Sequence, residues 1–165
     1  SQPRRITFFV RANHGIINDN DEVCVDHDIY VDDANYKMTC VSMGNPHCVV
    51  YMDNLDNFPI EKIGPKFENH VAFPNRVNTE FVRVDDRSNV HMRVWERGAG
   101  ETWACGTGSC ATLVACVLND KTDRKITLDL NGGSLELEWG EVTNCVFMTG
   151  PATEVFQGVL EWAGK

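Results

Sequence analysis

The chain has 165 residues, a formal net charge of −9 and a hydrophobic fraction of 42%. That length builds one domain with a real core, and that composition is globular rather than disordered. The negative charge argues against a nucleic-acid or anionic-membrane partner, and no apolar run reaches the ~18 residues that a membrane span needs.

No charged-then-apolar start reads as a signal peptide, and residues 1–5 read as the interior of a longer protein or an artificial end. The seven cysteines, at 24, 40, 48, 105, 110, 116 and 145, form no C-x-x-C pair. That spacing argues against a structural zinc site, and thiols without a framework suit a reducing cytoplasm.

Residues 5–11 place Ile-Thr-Phe-Phe-Val between arginines and predict a strand; 13–22 are turn-rich. Short strands follow at 28–31 and 36–41, then Gly44-Asn45-Pro46-His47 punctuates the start of an apolar strand over 48–52. A helix is expected over 59–69, interrupted by Gly64-Pro65. Residues 78–84 and 90–95 alternate around a polar turn and predict a hairpin. Residues 110–118 are apolar almost all round, which predicts a helix buried on every side. A second hairpin is expected from 126–130 and 135–139 about Asn131-Gly132-Gly133, with a strand at 142–148, a turn at Thr149-Gly150-Pro151 and a last strand at 159–162. The sum is an α+β domain, with many antiparallel strands around one central buried helix.

The chemistry gathers in residues 95–110, where a strand ends at Trp95 and a glycine-rich loop delivers Cys105 to the start of the apolar helix. A helix start concentrates unpaired N–H groups and positive dipole charge, which lowers a thiol's pKa and attracts a carboxylate. Cys105 is therefore expected to be the most acidic of the seven, beside an anion hole at 106–109. A lone cysteine in a turn is ordinarily a buried filler. The adjoining Glu96, Arg97 and paired glycines argue for chemistry. Cys48, Cys110 and Cys116 read as core, and Glu101 as structural.

Met43-Gly44-Asn45-Pro46-His47, Arg76-Val77-Asn78, Trp95-Glu96-Arg97-Gly98-Ala99-Gly100-Glu101-Thr102, Ala104-Cys105-Gly106-Thr107-Gly108 and Met148-Thr149-Gly150-Pro151-Ala152 together resemble the C-terminal half of the diaminopimelate epimerase family. The resemblance runs from about residue 36 to 160 and leaves 1–35 largely unmatched. It implies that residues 1–165 form a single C-terminal lobe, with antiparallel strands forming a barrel around a central helix. The implied activity is that of a cofactor-independent isomerase. It interconverts LL- and meso-diaminopimelate, for lysine and peptidoglycan synthesis, with two cysteines on opposite faces of the α-carbon.

In that resemblance Cys105 is the second catalytic thiol. Asn45 and Asn78 bind substrate, and Glu96 and Arg97 hold its distal amino and carboxylate groups. His47 and Glu96 modulate thiol pKa values. Proton abstraction beside a carboxylate also needs stabilisation of the developing enediolate, which the N–H groups of Gly106, Thr107 and Gly108 supply. No metal and no cofactor are implied. The partners are a small amino acid, an N-terminal lobe absent from these residues, and a second copy docking near Phe156. The implied location is cytoplasmic. Three rivals remain: a thiol hydrolase or acyl-transferase using Cys105 and His47, a binding lobe without catalysis, and a proline or hydroxyproline racemase. Ala104 and the Glu96-Arg97 pair argue against the last.

Overall fold

The computed structural model describes residues 4–11 and 24–162. In chain order the elements are β1 (Arg4–Arg11), β2 (His27–Val31), β3 (Ala34–Ser42), β4 (Pro46–Tyr51), α1 (Ile60–Glu68), β5 (Asn78–Val84), β6 (Asn89–Glu96), β7 (Gly100–Thr102), α2 (Gly106–Leu118), β8 (Lys125–Leu130), β9 (Gly133–Trp139) and β10 (Cys145–Ala152). The expected turn-rich stretch 13–22 lies outside the described residues.

Local chemistry accounts for the hairpins. Asp86 Oδ1 accepts from the N–H groups of Ser88 (2.7 Å) and Asn89 (2.9 Å), closing the β5–β6 turn. Leu130 faces Gly133 across the tight β8–β9 turn, as the Asn-Gly-Gly run predicts.

The strands form one sheet in the order β1-β10-β9-β8-β6-β5-β4-β3-β2, with β7 added on β6. The expectation of antiparallel strands is corrected at two places: β4 pairs with β5 and β6 with β8 in parallel. Parallel neighbours need a crossover, and α1 and α2 are those crossovers. The expected barrel is also corrected. Strands from both halves of the path touch α2, so the sheet curls round it. Its ends stay apart, because β1 pairs with β10 and β2 with β3, at opposite ends of the path.

Alternation along the strands splits the core between the two faces. Val41, Val49 and Val82 join α2 in one cluster. Cys40, Cys48, Val50 and Phe81 join Ile60 and Phe67 of α1 in the other. Helix α2 is buried from Gly108 through Cys116, as its all-round apolarity predicts. Helix α1 runs straight through Gly64-Pro65, contrary to expectation. Gly64 is required there because the Trp95 indole lies against it: a Cβ would stand 2.4 Å from Trp95 Cδ2.

The end of the chain departs most from the sequence pattern. The Thr149-Gly150-Pro151 run is not a turn; it continues β10, opposite Thr7, Ile6 and Arg5 of β1. The β9 ladder stops at Thr149, so Pro151 takes no place that needs an N–H towards β9. The expected strand at 159–162 is absent. That segment has no ladder, and Val159, Leu160 and Trp162 are exposed. Apolar residues make a strand only against a neighbouring strand, and none of the described strands pairs with this segment.

Candidate active site

Cys105 is the N-cap of α2, with extended backbone (φ −140°), and its carbonyl accepts from both the N–H and the hydroxyl of Ser109, each at 2.8 Å. Its sulfur meets the Gly108 N–H and lies 3.7 Å from Thr107 Oγ1. Two of the four N–H groups expected to hold an anion, those of Gly108 and Ser109, are thus engaged with Cys105 itself. Those of Gly106 and Thr107, at the first turn, have no partner within the helix.

The expectation of an unusually acidic Cys105 is corrected. The side chain is buried, at 8% exposure, rather than open in a glycine-lined loop. Burial pushes the thiol above its ordinary pKa, the Gly108 N–H draws it down, and the Glu80 charge pushes it up again. Burial wins over the helix terminus. The purely structural cysteines are buried too: Cys110 and Cys116 are pushed up to about 12, chiefly by desolvation.

A chain of hydrogen bonds joins Cys105 to strand β4. Asn45 Nδ2 donates to Thr107 Oγ1 at 3.3 Å, and Asn45 Oδ1 faces His47 Nε2 at 3.1 Å. On its other side, His47 Nδ1 lies 2.7 Å from Glu80 Oε1. Asn45 sits in the bend before β4, whereas His47 is in β4 and buried, not in the expected loop. The parallel β4–β5 pairing places His47 opposite Asn78, two residues before Glu80.

The second half of the site is the β6–β7 turn. Glu96 accepts from Thr102 Oγ1. Arg97 is exposed, and its Nη1 donates to the Asn75 carbonyl at 3.0 Å. Among the described residues Arg97 has no carboxylate partner, so Glu96-Arg97 is not a surface ion pair. Asn78 spends its amide on the backbone: Oδ1 accepts from Arg97 N–H (2.9 Å) and Nδ2 donates to the Pro46 carbonyl (2.9 Å). It thereby ties the turn to the strand that carries Asn45 and His47. Glu101 takes Arg93 in a two-pronged contact, through Nε at 2.8 Å and Nη2 at 3.1 Å.

Two residues escaped the sequence reading. Glu80 is fully buried against His47, and Glu68 is buried beneath the β6–β7 turn. Glu68 accepts from Trp95 Nε1 (2.7 Å), Gly98 N–H (2.9 Å) and Arg76 Nη1 (3.0 Å). Gly98 and Gly100 carry positive φ values of 81° and 87°, which let the turn fold over that carboxylate. The available signal for Glu80 was a carboxylate directly before the apolar pair Phe81-Val82, at a position where β5 is buried. For Glu68, at the end of an amphipathic helix, there was none.

A family model described as diaminopimelate epimerase matches residues 39–155. The diaminopimelate epimerase of Acetivibrio thermocellus is 56% identical over 145 residues, covering 88% of this chain and 52% of that protein. The diaminopimelate epimerase of Agathobacter rectalis is 54% identical over 152 residues, 92% of this chain and 53% of that protein. The corresponding Leptospira biflexa protein is 53% identical over 146 residues, 88% and 52%. The chain spans about half the length of the curated relatives it matches.

Proposed function

The chain belongs to the diaminopimelate epimerase family, and on that premise we propose that residues 1–165 are one lobe of a cofactor-independent epimerase, with Cys105 as one of its two acid/base thiols. The observation that carries this reading is the convergence on Cys105. Its sulfur meets a helix-start N–H and the Thr107 hydroxyl, while Arg97, in the adjoining turn, has no acidic partner among the described residues.

On this reading the substrate is LL- or meso-diaminopimelate, a zwitterion with a second amino-acid head. Arg97 receives the distal carboxylate and Glu96 the distal ammonium. The α-carboxylate lies toward the Gly106 and Thr107 N–H groups. A thiolate on one face takes the α-proton: the Cα–H bond breaks, an S–H bond forms, and the electron pair passes into the carboxylate as an enediolate. A thiol on the opposite face then gives its proton to Cα, forming the new C–H bond and leaving a thiolate. Buried, with its pKa raised, Cys105 rests as the thiol; it is the acid for one isomer and, as the thiolate, the base for the other.

The opposing thiol belongs to the N-terminal lobe. These residues alone therefore bind substrate without inverting it, and the active unit is the two-lobed protein, in the cytoplasm, as a homodimer. The test mixes this chain with a separately made N-terminal half of a relative and follows the interconversion of LL- and meso-diaminopimelate. Inversion should need both halves and vanish with Cys105→Ala. Inversion that survives Cys105→Ala overturns the assignment.

A further inference from the structure

Resting on that reading, we propose that Glu80 is a positioning residue which, paired with His47, sets the charge facing the Cys105 sulfur. Both side chains are entirely withdrawn from solvent, with Glu80 Oε1 2.7 Å from His47 Nδ1. Among the described residues, the buried Glu80 Oε2 has no hydrogen-bond partner. A carboxylate held this way costs stability relative to an apolar or amide side chain, so packing alone does not explain it.

Gly108 is what lets Glu80 reach Cys105. A Cβ on Gly108 would stand 2.6 Å from Glu80 Oε1 and 3.2 Å from Cys105 Sγ. The carboxylate and the sulfur thus converge on one point, separated only by a residue without a side chain. The groups that face Cys105 are Glu80 from β5, Glu96 from the end of β6, and Thr107 and Gly108 of α2, with Cys110 one turn on. Those that face Glu80 are His47 from β4, Cys40 from β3 and Cys105 itself.

The two members of the pair act on the thiol with opposite signs. The Glu80 carboxylate opposes a negative sulfur. His47 presents both ring nitrogens to acceptors, Nδ1 to Glu80 and Nε2 to Asn45 Oδ1, and the doubly protonated ring satisfies both. Beyond it Asn45 Nδ2–H donates to Thr107 Oγ1, which lies 3.7 Å from Cys105 Sγ; against a thiolate the Thr107 hydroxyl is the donor of that contact. Glu80 adds to burial in keeping the resting proton on Cys105. His47 offsets that carboxylate, so the same sulfur tolerates its charge once the proton is given up.

The test uses no diaminopimelate, so it stands or falls apart from the epimerase reading. Cys105 alkylation by iodoacetamide is followed across pH, with the labelled peptides quantified by mass spectrometry. A nearby charge in the interior moves a titration enough for about a tenfold change in rate at fixed pH. Glu80→Gln should therefore speed labelling of Cys105 about tenfold at neutral pH, and His47→Gln should slow it about tenfold, with Cys110 and Cys116 still protected. A structural role alone moves both variants in the same direction. Equal rates in wild type and Glu80→Gln, or shifts of one sign in both variants, overturn the proposal. Nitrogen-15 spectra of the wild-type His47 ring give a measurement independent of whether any variant folds. Two protonated nitrogens support the pair, and one overturns it.

Discussion

Replacing Gly64 by alanine sets a helix preference against a clash with the residue that leads into the active-site turn. In an exposed helix the change would gain about 1 kcal/mol. Here the new Cβ meets Trp95 Cδ2 at 2.4 Å, Cγ at 2.5 Å and Cε3 at 2.7 Å. Carbon atoms in good contact sit ~3.5–4.0 Å apart, so the ring must retreat by about 1 Å. It has little freedom to do so, because its Nε1 is held by Glu68 and a second glycine, Gly100, lies against its far edge. Overpacking of this kind costs about 1–3 kcal/mol. The net expectation for Gly64→Ala is a loss of up to about 2 kcal/mol, read as an earlier urea midpoint with an unchanged slope. Trp95 immediately precedes Glu96 and Arg97, so the same displacement should weaken diaminopimelate binding in calorimetry. A variant more stable than wild type by the full helix gain, with binding unchanged, would refute the argument that the indole is fixed.

Removing the Glu68 carboxylate with Glu68→Ala leaves the Trp95 Nε1–H and Gly98 N–H without their acceptor, and should cost about 2–3 kcal/mol in urea unfolding. Arg97→Glu should weaken diaminopimelate binding tenfold or more while leaving the melting transition in place, because the side chain is exposed and, among the described residues, its guanidinium meets the Asn75 carbonyl and no carboxylate. Alkali should destabilise the fold. Cys110 and Cys116 rise from 9.0 to about 12 on folding, so the unfolded chain gives up these protons first. The folded state then binds more protons, and stability falls as pH climbs from about 9 towards 12, by about 1.4 kcal/mol per pH unit for each thiol. Urea midpoints across that range, compared with a Cys110→Ala/Cys116→Ala double variant, measure the slope.

What the sequence made legible follows from local rules. The all-round apolarity of residues 110–118 located the buried helix, and period-two alternation with Asp-Asn and Asn-Gly turns located both hairpins. Those rules carry no information about who sits across the sheet. Nothing in the residues near β4 or β6 announces that each has a parallel neighbour, because that pairing depends on where a crossover helix returns the chain. The helix-start argument placed Cys105 at the start of α2, as found, and drew the wrong consequence for its pKa. It counted the N–H dipoles but had no measure of burial, which is a property of the packed whole. Glu80 shows the same limit: His47 lies 33 positions away and becomes its partner only when β4 and β5 align. The apolar tail reads as a strand for the opposite reason, since apolar side chains record a preference for cover and not the presence of a strand to supply it.

The central claim is that Cys105 moves the substrate's α-proton from one face only. Incubating LL- and meso-diaminopimelate separately with these 165 residues in D2O, and following deuterium at Cα together with stereochemistry, tests it most directly. Deuterium should enter slowly with retention at a centre of one configuration, faster as pH rises because a raised thiol pKa leaves little thiolate at neutrality. The exchange should disappear in Cys105→Ala. Deuterium entering centres of both configurations equally, or entering undiminished in Cys105→Ala, would contradict the account.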